Sequence, residues 1–221
     1  MGKKCTNDYF NNLRSVMKSL IKNIIYFFTP NFYNKFHSSS KDIYITFDDG
    51  PSSDNTCVIL DVFKKHKMTA TFFLIGSEME KHPDIVKRII NEDHAIGYHS
   101  FSHKSLKSIS FFEFIEDLKS AKLLFNKYSI KNKFYRPPYG DLTVFKFLWM
   151  IVTGWKIIMW SHDSRDSFDD KNIVLESILH EEIQFGSIHL FHDDYDDTAE
   201  IMPKILEHYS NNGVNCAKIH I

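Results

Sequence analysis

The sequence predicts an α/β fold on parallel strands, arranged as an open sheet or a barrel. Short β-branched and aromatic runs alternate with amphipathic stretches of helical period across residues 42–217, the pattern of βα units. Carboxylates, imidazoles and a guanidinium gather just after those runs, at the strand ends where α/β proteins assemble their sites. Composition agrees. The 221 residues are 43% hydrophobic and 25% charged, enough for one domain with a sizeable core and a short appendage. Basic and acidic residues balance at 27 and 28, so there is no electrostatic case for nucleic acid. Cys5, Cys57 and Cys216 are odd in number, far apart and in no C-x-x-C arrangement. They suggest neither a disulfide framework nor a thiolate zinc knot, and they fit a reducing compartment.

Residues 1–36 form the first unit. From Asn11 to Tyr33, Leu13, Val16, Met17, Leu20, Ile21, Ile24 and Ile25 recur mostly at three- and four-residue spacing among Arg14, Lys18 and Lys22. That predicts an amphipathic helix ended by Pro30. It is too short and too charged to span a bilayer, and Lys22 followed by Phe27-Phe28-Thr29-Pro30 supplies neither the apolar core nor the cleavage site of a secretory signal. The segment is expected to be retained in a cytoplasmic protein. Two placements are open: packed on the domain, or resting residues 11–33 on the inner face of the membrane. Ser38-Ser39-Ser40-Lys41 reads as a polar linker.

The body follows in βα order. Ile43–Phe47 is a strand stopped by Gly50-Pro51, and Asn55–Lys67 is a helix with Lys64 and Lys65 near its C-terminal dipole. Ala70–Ile75 is a strand ending at Gly76, His82–Ile90 a helix with Pro83 in its first turn, and His94–Tyr98 a strand. Ser110–Tyr128 is the clearest helix, with Phe114, Leu118, Ala121 and Phe125 on one stripe and Glu113 at the capping-box position. Strands are expected at Lys133–Tyr135, Lys156–Trp160, Ser187–Phe191 and Val214–Ala217, and helices at Thr143–Val152, Asn172–Ile183 and Ala199–Tyr209.

The strand ends carry the chemistry. Asp48 and Asp49 follow the first strand; alone, Asp-Asp-Gly-Pro is also ordinary turn chemistry. His99 and His103 follow the third, four apart, a spacing that lets both imidazoles reach one cation from a helical turn. With 12 histidines in the chain, such a pair also arises by accident. Arg136-Pro137-Pro138-Tyr139-Gly140 sets a guanidinium before a rigid turn, suited to holding a carboxylate ionised and to fixing amides around an oxyanion. Asp163, Asp166 and His192 follow the fifth and sixth strands, while His162 has no assigned role. Structural polar residues have no reason to gather at one edge, so the set as a whole points to a site.

Taken in order, T-F-D-D-G-P, H-S-x-x-H, R-P-P-Y-G, D-x-x-D and L-x-H-D resemble the motifs of the polysaccharide deacetylases. These are carbohydrate esterases that remove N-acetyl groups from chitin, chitooligosaccharide and peptidoglycan sugars. The resemblance covers residues 42–217 and implies a distorted (β/α) barrel with fewer than eight complete units. It implies that Asp48 is the general base and that Asp49, His99 and His103 hold a metal. It further implies that Arg136 holds Asp48, that the Tyr139 backbone N–H serves the oxyanion and that Leu190 lines the acetyl pocket. His192 would be the general acid and Asp166 its tuning partner. One departure stands out: Ser167 occupies the place where family members usually carry Trp, which puts one wall of the His192 pocket in doubt.

The chemistry is coherent without the name. An Asp/His/His set leaves coordination positions open for a water that Asp48 can deprotonate, and a protonated His192 can supply the proton an amine needs to leave. Zinc is the first expectation, and cobalt or manganese also suit the set. The expected function is N-deacetylation of an N-acetylated amino sugar, as an oligosaccharide or a nucleotide- or lipid-linked precursor. The alternatives are a non-catalytic carbohydrate-binding or regulatory member, or a deacylase of a non-sugar amide or ester.

Overall fold

A computed structural model describes residues 31–36 and 41–221. Its strands are β1 (Phe32–Tyr33), β2 (Asp42–Asp48), β3 (Thr71–Leu74), β4 (Ala95–Tyr98), β5 (Phe134–Tyr135), β6 (Lys156–Ile158), β7 (His162–Asp163), β8 (Ile188–His192) and β9 (Asn215–Cys216). The helices are α1 (Asn55–His66), α2 (Gly76–Lys81), α3 (Pro83–Asn91), α4 (Phe111–Lys127), α5 (Val144–Val152), α6 (Lys171–His180) and α7 (Asp196–Asn211), with a 3₁₀ turn at Pro138–Gly140. Among the described residues no helix is long and apolar enough to cross a membrane.

The nine strands pair in parallel, in the order β1-β6-β5-β4-β3-β2-β8-β7, with β9 beside β2. That order forces curvature. In a flat sheet β6 and β7 would lie six strand spacings apart, roughly 29 Å at about 4.8 Å each. Only residues 159–161 join them, a reach of at most about 14 Å. The sheet must therefore roll, and it does so into a parallel half-barrel. Residues 31–36 staple it: β1 pairs with β6, while the Phe36 N–H reaches the Gly186 carbonyl beside the start of β8 at 2.8 Å.

Alternation along the strands separates two apolar layers. On β2, Ile43, Ile45 and Phe47 face the helices, where Phe47 stacks on Phe72 with centroids 5.0 Å apart. Tyr44 faces inward with Phe73, Phe134, Ile158 and Ile188, so the same period carries Asp48, Arg136 and His192 to the inner face. Gly97 is needed inside because a Cβ there would lie 2.3 Å from the Phe73 ring.

The helices start where their sequences dictate. The Ser110 Oγ accepts from the Glu113 N–H at 3.2 Å and Glu113 returns a carboxylate to the Ser110 N–H at 2.7 Å, the expected capping box of α4. Lys67 ends α1 in a left-handed conformation, φ 56°.

Four expectations change. Phe32–Tyr33, assigned by sequence to the N-terminal helical unit of residues 1–36, is instead a strand, because β6 offers its edge there. Residues 1–30 and the linker at 38–40 lie outside the described residues. Gly76, expected only as a strand stop, opens the short helix α2. β7 pairs with β8 through two residues too few to show a period. The expected fifth strand ends at Ile158, so Met159 and Trp160 belong to the crossing loop.

Candidate metal centre and active site

Asp48 and His192 are register partners on adjacent strands, which places the base and acid candidates side by side at the C-terminal rim. Asp49 would by alternation face the helices. Its left-handed backbone, φ 73°, turns it into the pocket instead. His99 continues β4, and His103 arrives from a loop, not from the helical turn expected for the pair: Ser100 and His103 both have positive φ, 65° and 52°. Their rings meet with centroids 5.0 Å apart.

That loop is held by groups the sequence does not advertise. The first amides of α2, on Gly76 and Ser77, donate to the Ser100 and Phe101 carbonyls at 2.9 and 3.0 Å, and the Phe101 N–H donates to Asp117 Oδ1 at 2.6 Å. A Cβ on Gly76 would sit 2.7 Å from the Phe101 ring, so glycine permits the approach. Asp193 does the same work on the other side. Its carboxylate fills the space where a Cβ on Gly50 would stand, 2.2 Å away, and accepts from the Thr56 hydroxyl at 2.6 Å. Burial pushes the Asp193 carboxyl up to about 7.

Asp49, His99 and His103 each offer a ligand atom, all within 4.8 Å of one another. Asp49 Oδ1 lies 3.1 Å from His103 Nε2 and 3.4 Å from His99 Nε2. A tetrahedral ion with bonds of about 2.05 Å sets its ligands about 3.3 Å apart, so these separations are edges of that polyhedron. The donor chemistry also fits. His99 Nδ1 sits 2.8 Å from the Arg136 carbonyl, which fixes that nitrogen as the N–H donor and leaves Nε2 a lone pair. Burial pulls His99 down to about 4 and lowers His103, so both imidazoles are neutral. Asp49 Oδ1 is buried without a hydrogen-bond donor, a cost of about 1–3 kcal/mol that a cation would remove. Burial and the neighbouring Asp48 charge raise the Asp49 carboxyl to about 7, a further demand for positive charge at this point.

Arg136 is fully buried and every arm is used. Nη1 donates to Asp48 Oδ1 at 2.7 Å and to Thr46 Oγ1 at 2.8 Å, Nε to the Ile158 carbonyl at 3.0 Å and Nη2 to the Met159 carbonyl at 3.1 Å. The guanidinium also lies 4.0 Å over the Phe73 ring. Asp48 is thus clamped through one oxygen while Oδ2 points toward His99 Nε2, 3.7 Å away.

His192 Nδ1 meets Asp166 Oδ1 at 2.8 Å, the His192 N–H donates to Asp166 Oδ2 at 2.7 Å, and Thr198 donates to the same oxygen at 2.7 Å. Burial pulls the imidazole down, but the hydrogen bond and charge of Asp166, with the charges of Asp48 and Asp49, outweigh it and bring the group to about 9.

These groups floor an open cleft of about 550 Å³ whose walls include Tyr139, Trp160, Leu190 and Tyr195. Tyr139 has φ 60° and ψ 12° and is 69% exposed at the mouth. Ser167 lines the cleft beside Phe168, which is 79% exposed, and Tyr195 sets its edge on the His192 ring with centroids 5.9 Å apart. The wall in doubt is thus lined by other aromatic rings. Each site residue expected from the sequence borders this cleft or holds one that does. Asp117, Tyr195 and the α2 amides were not expected, since only the fold brings them near, while Thr46 and Asp193 stand in the T-F-D-D-G-P and L-x-H-D motifs with no role assigned to them.

A family model for polysaccharide deacetylase matches residues 36–146. A peptidoglycan-N-acetylglucosamine deacetylase of Bacillus cereus is 39% identical over 135 residues, 61% of this chain and 47% of that protein. A second protein so named from the same organism is 32% identical over 182 residues, covering 80% of this chain and 85% of its own length. The chain spans about half the length of the first of these. A solved structure of a peptidoglycan N-acetylglucosamine deacetylase, in complex with 4-naphthalen-1-yl-N-oxidanyl-benzamide, is similar at a TM-score of 0.78 with 31% identity, covering 86% of this chain and 91% of that one.

Proposed function

The chain belongs to the polysaccharide deacetylase family, and from that premise we propose that it hydrolyses the N-acetyl amide of an amino sugar within a glycan. The observation that carries this reading is Asp49 Oδ1 set 3.1 and 3.4 Å from the His103 and His99 nitrogens beside a clamped carboxylate and a carboxylate-backed imidazole. Relatives named for N-acetylglucosamine in peptidoglycan favour that sugar as the acylated residue.

Asp49, His99 and His103 would hold one divalent cation, with zinc favoured and cobalt or manganese acceptable to the set. When bound, it supplies a Lewis acid that acidifies water and polarises the carbonyl. The chain's residues do the rest. Asp48, fixed by Arg136, takes the proton of the attacking water on Oδ2. The Tyr139 N–H donates to the developing oxyanion. Leu190 borders the space for the acetyl methyl. His192, kept protonated by Asp166, gives its proton to the departing amine, without which the C–N bond does not break productively. Ser167, the residue that favoured a non-catalytic reading, leaves acid, base and ligands all in reach of one another.

The test is release of acetate from N-acetylglucosamine oligomers and peptidoglycan fragments, with metal content measured alongside. Asp49→Ala should lose turnover together with the ion held at this centre. Asp48→Asn should keep the metal and lose about 10²–10⁴-fold in kcat. Parent-level turnover in Asp48→Asn would remove the base from the mechanism.

A further inference from the structure

His162, left without a role by the reactive cleft, lies on the other face of the sheet. β7 and β8 pair His162 with His189, and the alternation that sends Leu190 and His192 inward sends these two outward, to a cavity that Ile178 of α6 and Tyr209 of α7 also line. Their rings lie with centroids 4.4 Å apart and planes 31° from parallel. Both border a cavity of about 50 Å³ that Ser161, Glu181, Ser187 and Tyr209 also line.

Each imidazole has one nitrogen committed and one bare. His162 Nδ1 meets the Glu181 carboxylate at 2.8 Å, so Nδ1 carries the proton and a neutral ring presents a lone pair at Nε2. His189 Nε2 meets the Ser187 hydroxyl at 2.7 Å. Among the described residues, His162 Nε2 and His189 Nδ1 are buried with no hydrogen-bond partner, and His189 is only 7% exposed. Burial, with the nearby His162, holds His189 near 3, so it is neutral and uncharged in this cavity. Two bare ring nitrogens in one small polar space are costly to leave unless something fills it. A carboxylate behind the far nitrogen is the arrangement that orients metal-ligating histidines and raises their basicity.

We propose that His162 Nε2 and His189 Nδ1 hold a second divalent cation of the copper, nickel or zinc class, with Glu181 and Ser187 as the groups that orient the two rings. Imidazole suits these ions, and a cavity of this size leaves room for the water ligands that complete the sphere. Glu181 touches the far nitrogen of His162 and acts as a positioning residue. The site is separate from Asp49, His99 and His103; because Asp49→Ala leaves the His99 and His103 imidazoles in place, the decisive reading is the copper that this variant binds beyond what it binds once His162→Ala is added.

The experiment uses the full chain carrying Asp49→Ala, titrated with Cu²⁺ and read by bound-metal stoichiometry and by electron paramagnetic resonance. The expected result is one tightly held ion whose spectrum shows coupling to two nitrogens, lost when His162→Ala is added. Glu181→Gln, at a half-exposed carboxylate that does not threaten folding, should weaken binding about 10–100-fold. Should Asp49→Ala bind no more copper than Asp49→Ala/His162→Ala, the cavity holds water only and the proposal falls. If His162→Ala does not fold, unchanged affinity in Glu181→Gln overturns it on its own.

Discussion

His192 shows how much of the reaction depends on one neighbour. Its imidazole is held near 9 against the pull of burial, chiefly by Asp166, so replacing that carboxylate by an amide should return the group toward its ordinary 6.5. In Asp166→Asn the alkaline limb of the pH–rate profile should move from near 9 to near neutrality, measurable as acetate release across pH 6 to 10. The stability linkage has the same sign. A folded pKa above the unfolded value contributes stability that is present below 6.5 and lost as pH rises through about 9, so parent and variant should converge in unfolding free energy across that window. An unmoved limb would assign the proton to another group. At this scale the sequence was informative wherever reactive residues stand next to a strand end, as Asp48, Asp49 and His99 do. It was silent on Asp117 and on what Asp193 does, because a carboxylate that supports Phe101 or Gly50 from a distant helix or loop leaves no local mark of that role.

Between elements, Arg136 is the pin. It joins β5 to β2 through Asp48 and Thr46 and to the end of β6 through two carbonyls, all without solvent. Removing one partner of a buried pair strands the other, so Arg136→Met should cost about 3–5 kcal/mol in urea unfolding. Arg136→Met/Asp48→Asn should regain part of that, since no bare charge is left; a double variant as weak as the single would mean the guanidinium matters through its carbonyl bonds alone. At the other extreme, Ser110→Ala removes only the α4 cap and should cost about 1 kcal/mol with turnover unchanged. Helix α4 was legible because its cap and apolar stripe are both local. β1, β7 and α2 were not: two-residue strands have no period, and α2 exists because the His99–His103 loop offers carbonyls to its first amides.

The rolled sheet brings charge together as well as strands. Parallel order was readable from alternation, whereas the roll follows from the short crossing between β6 and β7. Its consequence is two carboxylates, Asp48 and Asp49, facing one small space in which Asp49 titrates near 7. A carboxyl raised from 3.8 to about 7 contributes stability at acid pH that is lost as pH rises through 7, so the cation-free chain should weaken over that range. A divalent ion needs the ionised form, so its stabilising effect should be small at pH 5 and complete above pH 7. At a free ion concentration 100 times Kd the gain is about 2.7 kcal/mol, roughly 5–10 °C in Tm for a chain of this size. Thermal unfolding with and without Zn²⁺ at pH 5 and pH 8 reads both predictions. Asp49→Ala, which leaves the outer imidazole pair intact, should lose most of the pH 8 gain; if it keeps all of it, the ion stabilises this fold from somewhere other than the rim where Asp49 sits.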